Sequence, residues 1–165
     1  MRDSVTNTLL LGPGPSTVSE HVRRALALPT IGHLDPRLIA IMDDVKRMLR
    51  SLFETQNSLT MPLSGTGSAG MEASFVNFVE PGDRVLVFTN GVFGRRMQDV
   101  ASRLGAAVTP VEFEWGTPVD LDVARRELGA SRYDLVAVVH AETSTGVRNP
   151  VSELAPLVAE SGALY

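Results

Sequence analysis

The chain has 165 residues, 44% of them apolar and 21% charged, with a net charge of −4 and no cysteine. That balance describes one domain-sized globular unit able to bury a core unaided, and it excludes disulfides, thiolate metal sites and a basic nucleic-acid surface. The longest aliphatic runs, such as residues 135–139, are far too short to span a membrane, and the three histidines, His21, His33 and His140, stand at no metal-ligand spacing.

Residues 1–6 lack the charged-then-apolar pattern of a secretory leader, so a cytoplasmic protein is expected. An apolar stretch at 9–11 breaks into Gly12-Pro13-Gly14-Pro15, a rigid turn that makes residues 7–15 an arm rather than a core element. Ser16 is read as the cap of a helix reaching about Leu28. Asp35, followed by Pro36, caps a longer amphipathic helix carrying Leu38, Ile41, Met42, Val45, Leu49 and Phe53. The chain's single lysine, Lys46, falls at a polar position of that helix and reads as a solvated side chain.

From there strands and helices alternate: strand 59–63, helix 68–79, turn 80–83, strand 84–88, helix 92–104, strand 107–113, helix 121–128, strand 134–140 and helix 151–160. Ala163-Leu164-Tyr165 reads as the opening of a further strand. Alternation of this kind with aliphatic strands predicts an α/β fold, a mainly parallel sheet with helices on both faces.

The most informative stretch is Ser64-Gly65-Thr66-Gly67-Ser68-Ala69-Gly70, set between an apolar run and a helical pattern. Glycines permit close backbone approach, and the first-turn N–H groups with the positive end of the helix dipole favour an anion, most often a phosphate. Gly65, Gly67 and Gly70 match the dinucleotide-binding spacing, which would make the protein a nicotinamide-dependent oxidoreductase. That pattern calls for an acidic residue at the end of the second strand, where this chain has Thr89-Asn90-Gly91. A nucleotide P-loop is also excluded, because no Gly-Lys-Ser/Thr follows.

Taken with residues 9–16, Met71-Glu72-Ala73, Glu80-Pro81-Gly82-Asp83, Asn90-Gly91-Val92-Phe93-Gly94 and His140-Ala141-Glu142-Thr143-Ser144-Thr145-Gly146, this turn resembles class V aminotransferases. Within them it is most similar to the alanine–glyoxylate and serine–glyoxylate (serine–pyruvate) enzymes, from about Thr8 to Tyr165. The resemblance implies a fold-type I pyridoxal-phosphate large domain, incomplete at its C-terminal end, in a protein that is usually a homodimer. It divides the chain into an arm and first helix over 1–34 and the N-terminal part of the cofactor-binding domain over 35–165.

The same resemblance implies that Thr66, Gly67 and Ser68 hold the cofactor phosphate and that Phe93 stacks on the pyridine ring, at a position often occupied by tryptophan. It implies that the Thr143 hydroxyl meets the ring oxygen and that Gly12, Pro13 and Gly14 lie toward the substrate. Ser144 and Thr145 are read instead as satisfying loop backbone, Glu142 as a structural partner and His140 as a strand-end residue. The Schiff-base lysine, the carboxylate beside the pyridine nitrogen and the arginine that grips substrate carboxylate are expected beyond Tyr165, so the chain holds no catalytic lysine and is expected to be inactive alone.

The activity implied is transamination of alanine or serine with glyoxylate or pyruvate in two half-reactions, on small amino and 2-oxo acids, with no nucleic acid, membrane or metal partner. A cysteine desulfurase or another lyase on the same scaffold is the alternative; desulfurases typically stack histidine on the ring, where this chain has Phe93.

Overall fold

The computed structural model describes residues 8–165; the leader reading over 1–6 lies outside them. The chain separates into two compact units, one ending at Ser64 and one running from Gly65 to Tyr165.

In the first unit the arm bends at residues 12–15, and the Thr17 hydroxyl accepts the Leu10 N–H at 3.0 Å. Helix α1 is Glu20–Leu26, capped by Ser19, whose Oγ accepts from the Val22 N–H at 3.4 Å. The cap expected at Ser16 is therefore corrected to Ser19. Residues 16–18 stay outside the helix beside the tie from Thr17 to Leu10, and Glu20 then enters the first turn, where it pairs with Arg23 and Arg24.

Helix α2, Pro36–Leu52, begins as expected, with the Asp35 carboxylate accepting the Arg37 N–H at 2.8 Å and proline in the first turn. The Lys46 ammonium sits 3.4 Å from Asp43 on its polar side. From the last turn of the helix, Arg50 donates to the carbonyls of Asn57 and Ser58 at 2.9 and 2.7 Å, which fastens the returning chain. Residues 59–63 are not the expected strand: they carry no ladder, and Leu59, Met61 and Leu63 are exposed. An apolar run becomes a strand only where another strand takes its backbone groups, and Pro62 removes one of its donors.

The second unit opens with helix α3, Gly67–Phe78, and continues through strand β1, Arg84–Thr89, helix α4, Val92–Arg103, strand β2, Ala107–Glu112, and helix α5, Leu121–Ala130. Strand β3, Leu135–Val138, is followed by a small hairpin of β4, Ala141–Glu142, and β5, Val147–Arg148, and then by helix α6, Val151–Ser161. The sheet order is β2-β1-β3, all parallel, with Val85 opposite Val108 on one side and Leu135 on the other. Leu164 bridges to Leu135 in parallel, so the closing residues do start to pair as a strand would.

Alternation along β1 explains its unbroken aliphatic character, since successive side chains face opposite layers. Val85 and Val87 pack with Phe75 of α3 and Ala101 of α4, whereas Leu86 and Phe88 pack with Ala124 and Leu128 of α5 and Leu154 and Val158 of α6. Both faces of the sheet are thereby covered by helices. Strand β3 is shorter than the expected 134–140 because Val139 and His140 already lead into the hairpin.

The chain leaves β1 through α4 to one neighbour, β2, and returns across β1 through α5 to the other, β3. The order reverses between β1 and β3, and in open α/β sheets the crevice beyond the C-terminal ends of such strands is where ligands bind.

Helix α5 starts with Asp120, whose carboxylate accepts the N–H groups of Asp122 and Val123 at 2.8 and 3.0 Å. Those bonds, first from Val123 and then from Asp122, hold its pKa below the ordinary aspartate value of 3.8. A carboxylate with a lowered folded-state pKa stabilises the fold above the unfolded value and loses that contribution as pH falls through the folded one. Replacing Asp120 with Asn is therefore expected to flatten the acid limb of thermal stability below about pH 4, as a series of melting curves across pH would show.

Candidate active site

Helix α3 ends six residues before β1 begins, so it runs back against the strand direction. Its start therefore lies toward the C-terminal edge of the sheet, since twelve helical residues span about 18 Å and six strand residues about 20 Å. The Thr66 hydroxyl caps this helix by accepting the Ala69 N–H at 3.2 Å, and the Thr66 carbonyl accepts the Gly70 N–H at 3.0 Å. Among the described residues the N–H groups of Gly67 and Ser68 and the Ser68 hydroxyl have no hydrogen-bond partner. A Cβ added at Gly67 would meet no heavy atom within 4 Å. Two orphan amides, two hydroxyls and open space at a helix N-terminus form a donor set of the kind that suits an anion.

Phe93 lies on the first turn of α4, half-buried, and Thr143 lies in the hairpin turn after β4 with its side chain exposed. The two segments are joined through Glu142, whose carboxylate accepts the Phe93 N–H and the Gly94 N–H, each at 3.1 Å. The helix has no side-chain cap of its own, because its N-cap residue is Gly91. Glu142 supplies that function from 49 residues beyond Phe93, in agreement with its reading as a structural partner. The Thr143 hydroxyl makes no hydrogen bond among the described residues and stays available.

Ser144 and Thr145 do satisfy backbone: the Ser144 hydroxyl accepts the Val92 N–H at 3.0 Å, and the Thr145 hydroxyl donates to the Asn90 carbonyl at 3.4 Å. His140 is exposed, and its carbonyl accepts the Asn149 N–H at 2.7 Å.

Beneath this surface lies a pair of buried amides that the sequence reading missed. Asn90 Nδ2 donates to Asn149 Oδ1 at 2.8 Å, and Asn149 Nδ2 donates back to Asn90 Oδ1 at 3.2 Å. Asn90 also donates to the Thr117 carbonyl, and Asn149 to the Val139 carbonyl, each at 2.7 Å, while Asn149 Oδ1 accepts the Val119 N–H at 3.0 Å. One small network thus binds the ends of β1 and β3 to the loop before α5. It also settles the dinucleotide reading, since the side chain at the end of β1 is turned inward and spent on protein partners. Gly12, Pro13 and Gly14 lie exposed in the first unit. Among the described residues no group of three or more His, Asp or Glu side chains is placed to hold a metal ion, and no helix is long and apolar enough to cross a membrane.

Known proteins resemble this chain in both sequence and structure. The chain is 38% identical over 156 residues to (S)-ureidoglycine–glyoxylate transaminase of Bacillus subtilis, covering 94% of this chain and 38% of that protein. It is likewise 38% identical over 148 residues to the alanine–glyoxylate aminotransferase of Mus musculus, covering 90% of this chain and 36% of that one. The crystal structure of alanine–glyoxylate aminotransferase from Nostoc sp. superposes with a TM-score of 0.90 at 44% identity, over 99% of this chain and 44% of that one. The chain therefore spans well under half the length of the relatives it matches. Residues 17–165 fit the family model described as aminotransferase class-V, and the chain belongs to that pyridoxal-phosphate-dependent family.

Proposed function

We propose that this chain supplies the phosphate-binding and ring-binding half of the active site of a transaminase that uses alanine or serine as donor and glyoxylate or pyruvate as acceptor. The observation that carries the reading is the pair of unpartnered amides at Gly67 and Ser68, a cradle that suits the phosphate of pyridoxal phosphate. Bound there, the cofactor supplies an electron sink for charge developing at the amino acid Cα.

The residues of this chain bind and orient. Thr66, Gly67 and Ser68 take the phosphate, Phe93 offers an aromatic face that keeps water from one side of the ring, and the Thr143 hydroxyl donates to the ring oxygen. The lysine that moves the proton is not among them: Lys46, the chain's single lysine, is paired with Asp43 on α2. Glyoxylate-using transamination is favoured over desulfuration by Phe93 and by what the named relatives do. A homodimeric, cytoplasmic protein belongs to the same proposal.

Titration with pyridoxamine 5′-phosphate tests it, because that compound carries the phosphate and ring but no aldehyde to react with a stray amine. Saturable binding, competed by inorganic phosphate and shifting the amide resonances of Gly67, Ser68, Phe93 and Thr143 together, is expected. Binding that leaves the Gly67 and Ser68 resonances unmoved would overturn the assignment.

A further inference from the structure

Glu142 is a fully buried glutamate. Four donors converge on it: the Phe93 and Gly94 N–H groups on Oε2, and the Ser144 N–H at 3.3 Å and hydroxyl at 2.6 Å on Oε1. The Ser144 hydroxyl, held in that way, accepts the Val92 N–H. Three first-turn amides of α4 are thus satisfied from the hairpin, and none by a side chain of the helix's own cap residue.

Gly91 makes this possible. Its backbone is extended, with φ at 178°, so glycine is not needed there for torsional reasons. A Cβ at that position would lie 2.4 Å from Glu142 Cγ and 2.5 Å from Cδ, inside any tolerable contact. The omission of one carbon admits the carboxylate to the helix end, where opposite partial charge and charge-assisted bonds hold it.

The consequence falls on two other residues. Thr143 stands between Glu142 and Ser144, both tied to α4, and Phe93 is tied by its own amide to the same carboxylate. We propose that Glu142 is a positioning residue that fixes the Phe93 ring and the Thr143 hydroxyl relative to each other, so that both address a single bound pyridine ring. The inference rests on the cofactor reading above. It assigns Glu142 no contact with the cofactor and no proton transfer, and it leaves the phosphate cradle on α3 independent of Glu142.

The test compares the unaltered chain with E142A, E142Q and S144A, using pyridoxamine 5′-phosphate and inorganic phosphate as separate probes. Circular dichroism induced in the ring absorption band reports how firmly the ring is oriented. Inorganic phosphate is expected to bind all four proteins within about twofold. E142A is expected to bind pyridoxamine 5′-phosphate about tenfold more weakly, the scale of one oriented hydrogen bond, and to lose the induced signal. E142Q keeps an acceptor for Phe93 and Gly94 and is expected to fall between, as is S144A, which leaves the carboxylate in place.

A folded E142A that keeps both the affinity and the induced signal overturns the proposal. Should E142A not fold, E142Q and S144A decide in the same way. Parallel loss of inorganic phosphate binding also overturns it, because Glu142 would then be acting on the whole unit. An unaltered chain that binds inorganic phosphate but gives no ring signal overturns the cofactor reading and this inference with it, an outcome visible without any variant.

Discussion

Replacing Ser68 with glutamate is expected to abolish phosphate recognition while leaving the protein as stable as before, or slightly more so. A carboxylate in the first turn of α3 interacts favourably with the helix dipole, by about 0.3–1 kcal/mol at an exposed position, and Ser68 makes no hydrogen bond that would be lost. The same charge repels an incoming phosphate and competes for the Gly67 and Ser68 amides, so affinity for inorganic phosphate and for pyridoxamine 5′-phosphate is expected to fall by more than about tenfold, or 1.4 kcal/mol. Opposite signs for folding and binding separate a ligand effect from a structural one. Calorimetric titration beside a melting curve reads both, and undiminished phosphate affinity in S68E would move the anion site away from α3.

The second large effect is expected at Asn149, which is buried and meets four polar partners. Truncation to alanine strands the Asn90 amide oxygen, the Val119 N–H and the Val139 carbonyl, and leaves Asn90 Nδ2 only its bond to the Thr117 carbonyl. At about 1–3 kcal/mol for each buried group left unpaired, partly relieved by relaxation, the cost is expected to be about 3–5 kcal/mol. For a domain of this size that lowers the melting temperature by about 10 °C. N149D keeps the acceptor for Val119 but loses both donors and is expected to fall in the same range. Removing Asn90 as well should cost much less than a second full increment, because the two share one network. Additive losses in the double variant would show that the amides act separately.

Much of the second unit is legible in the residues because its determinants are local. Aliphatic runs buried on both faces mark β1 and β3, and the glycine turn marks the start of α3; in the first unit the Asp35-Pro36 pair likewise marks the start of α2. What is not legible is whatever depends on a partner distant in sequence. Residues 59–63 are apolar enough for a strand, but strand formation is a property of a pair, and here no ladder meets them. The cap of α4 cannot be read near α4 because it arrives from residue 142, and nothing local to Asn90 or Asn149 announces that they meet across 59 positions. Ser16 and Ser19 are equally good caps on composition; the tie from Thr17 to Leu10 keeps the chain extended past the first of them.

The sealed start of α4 also shapes what the rest of this edge can choose. Two helices of equal length begin in this unit, and each would attract negative charge by its backbone alone. One is occupied by an internal carboxyl group that a solute would have to evict against four donors. A doubly charged guest is consequently turned away from α4, whereas the start of α3 keeps the N–H groups of Gly67 and Ser68 open.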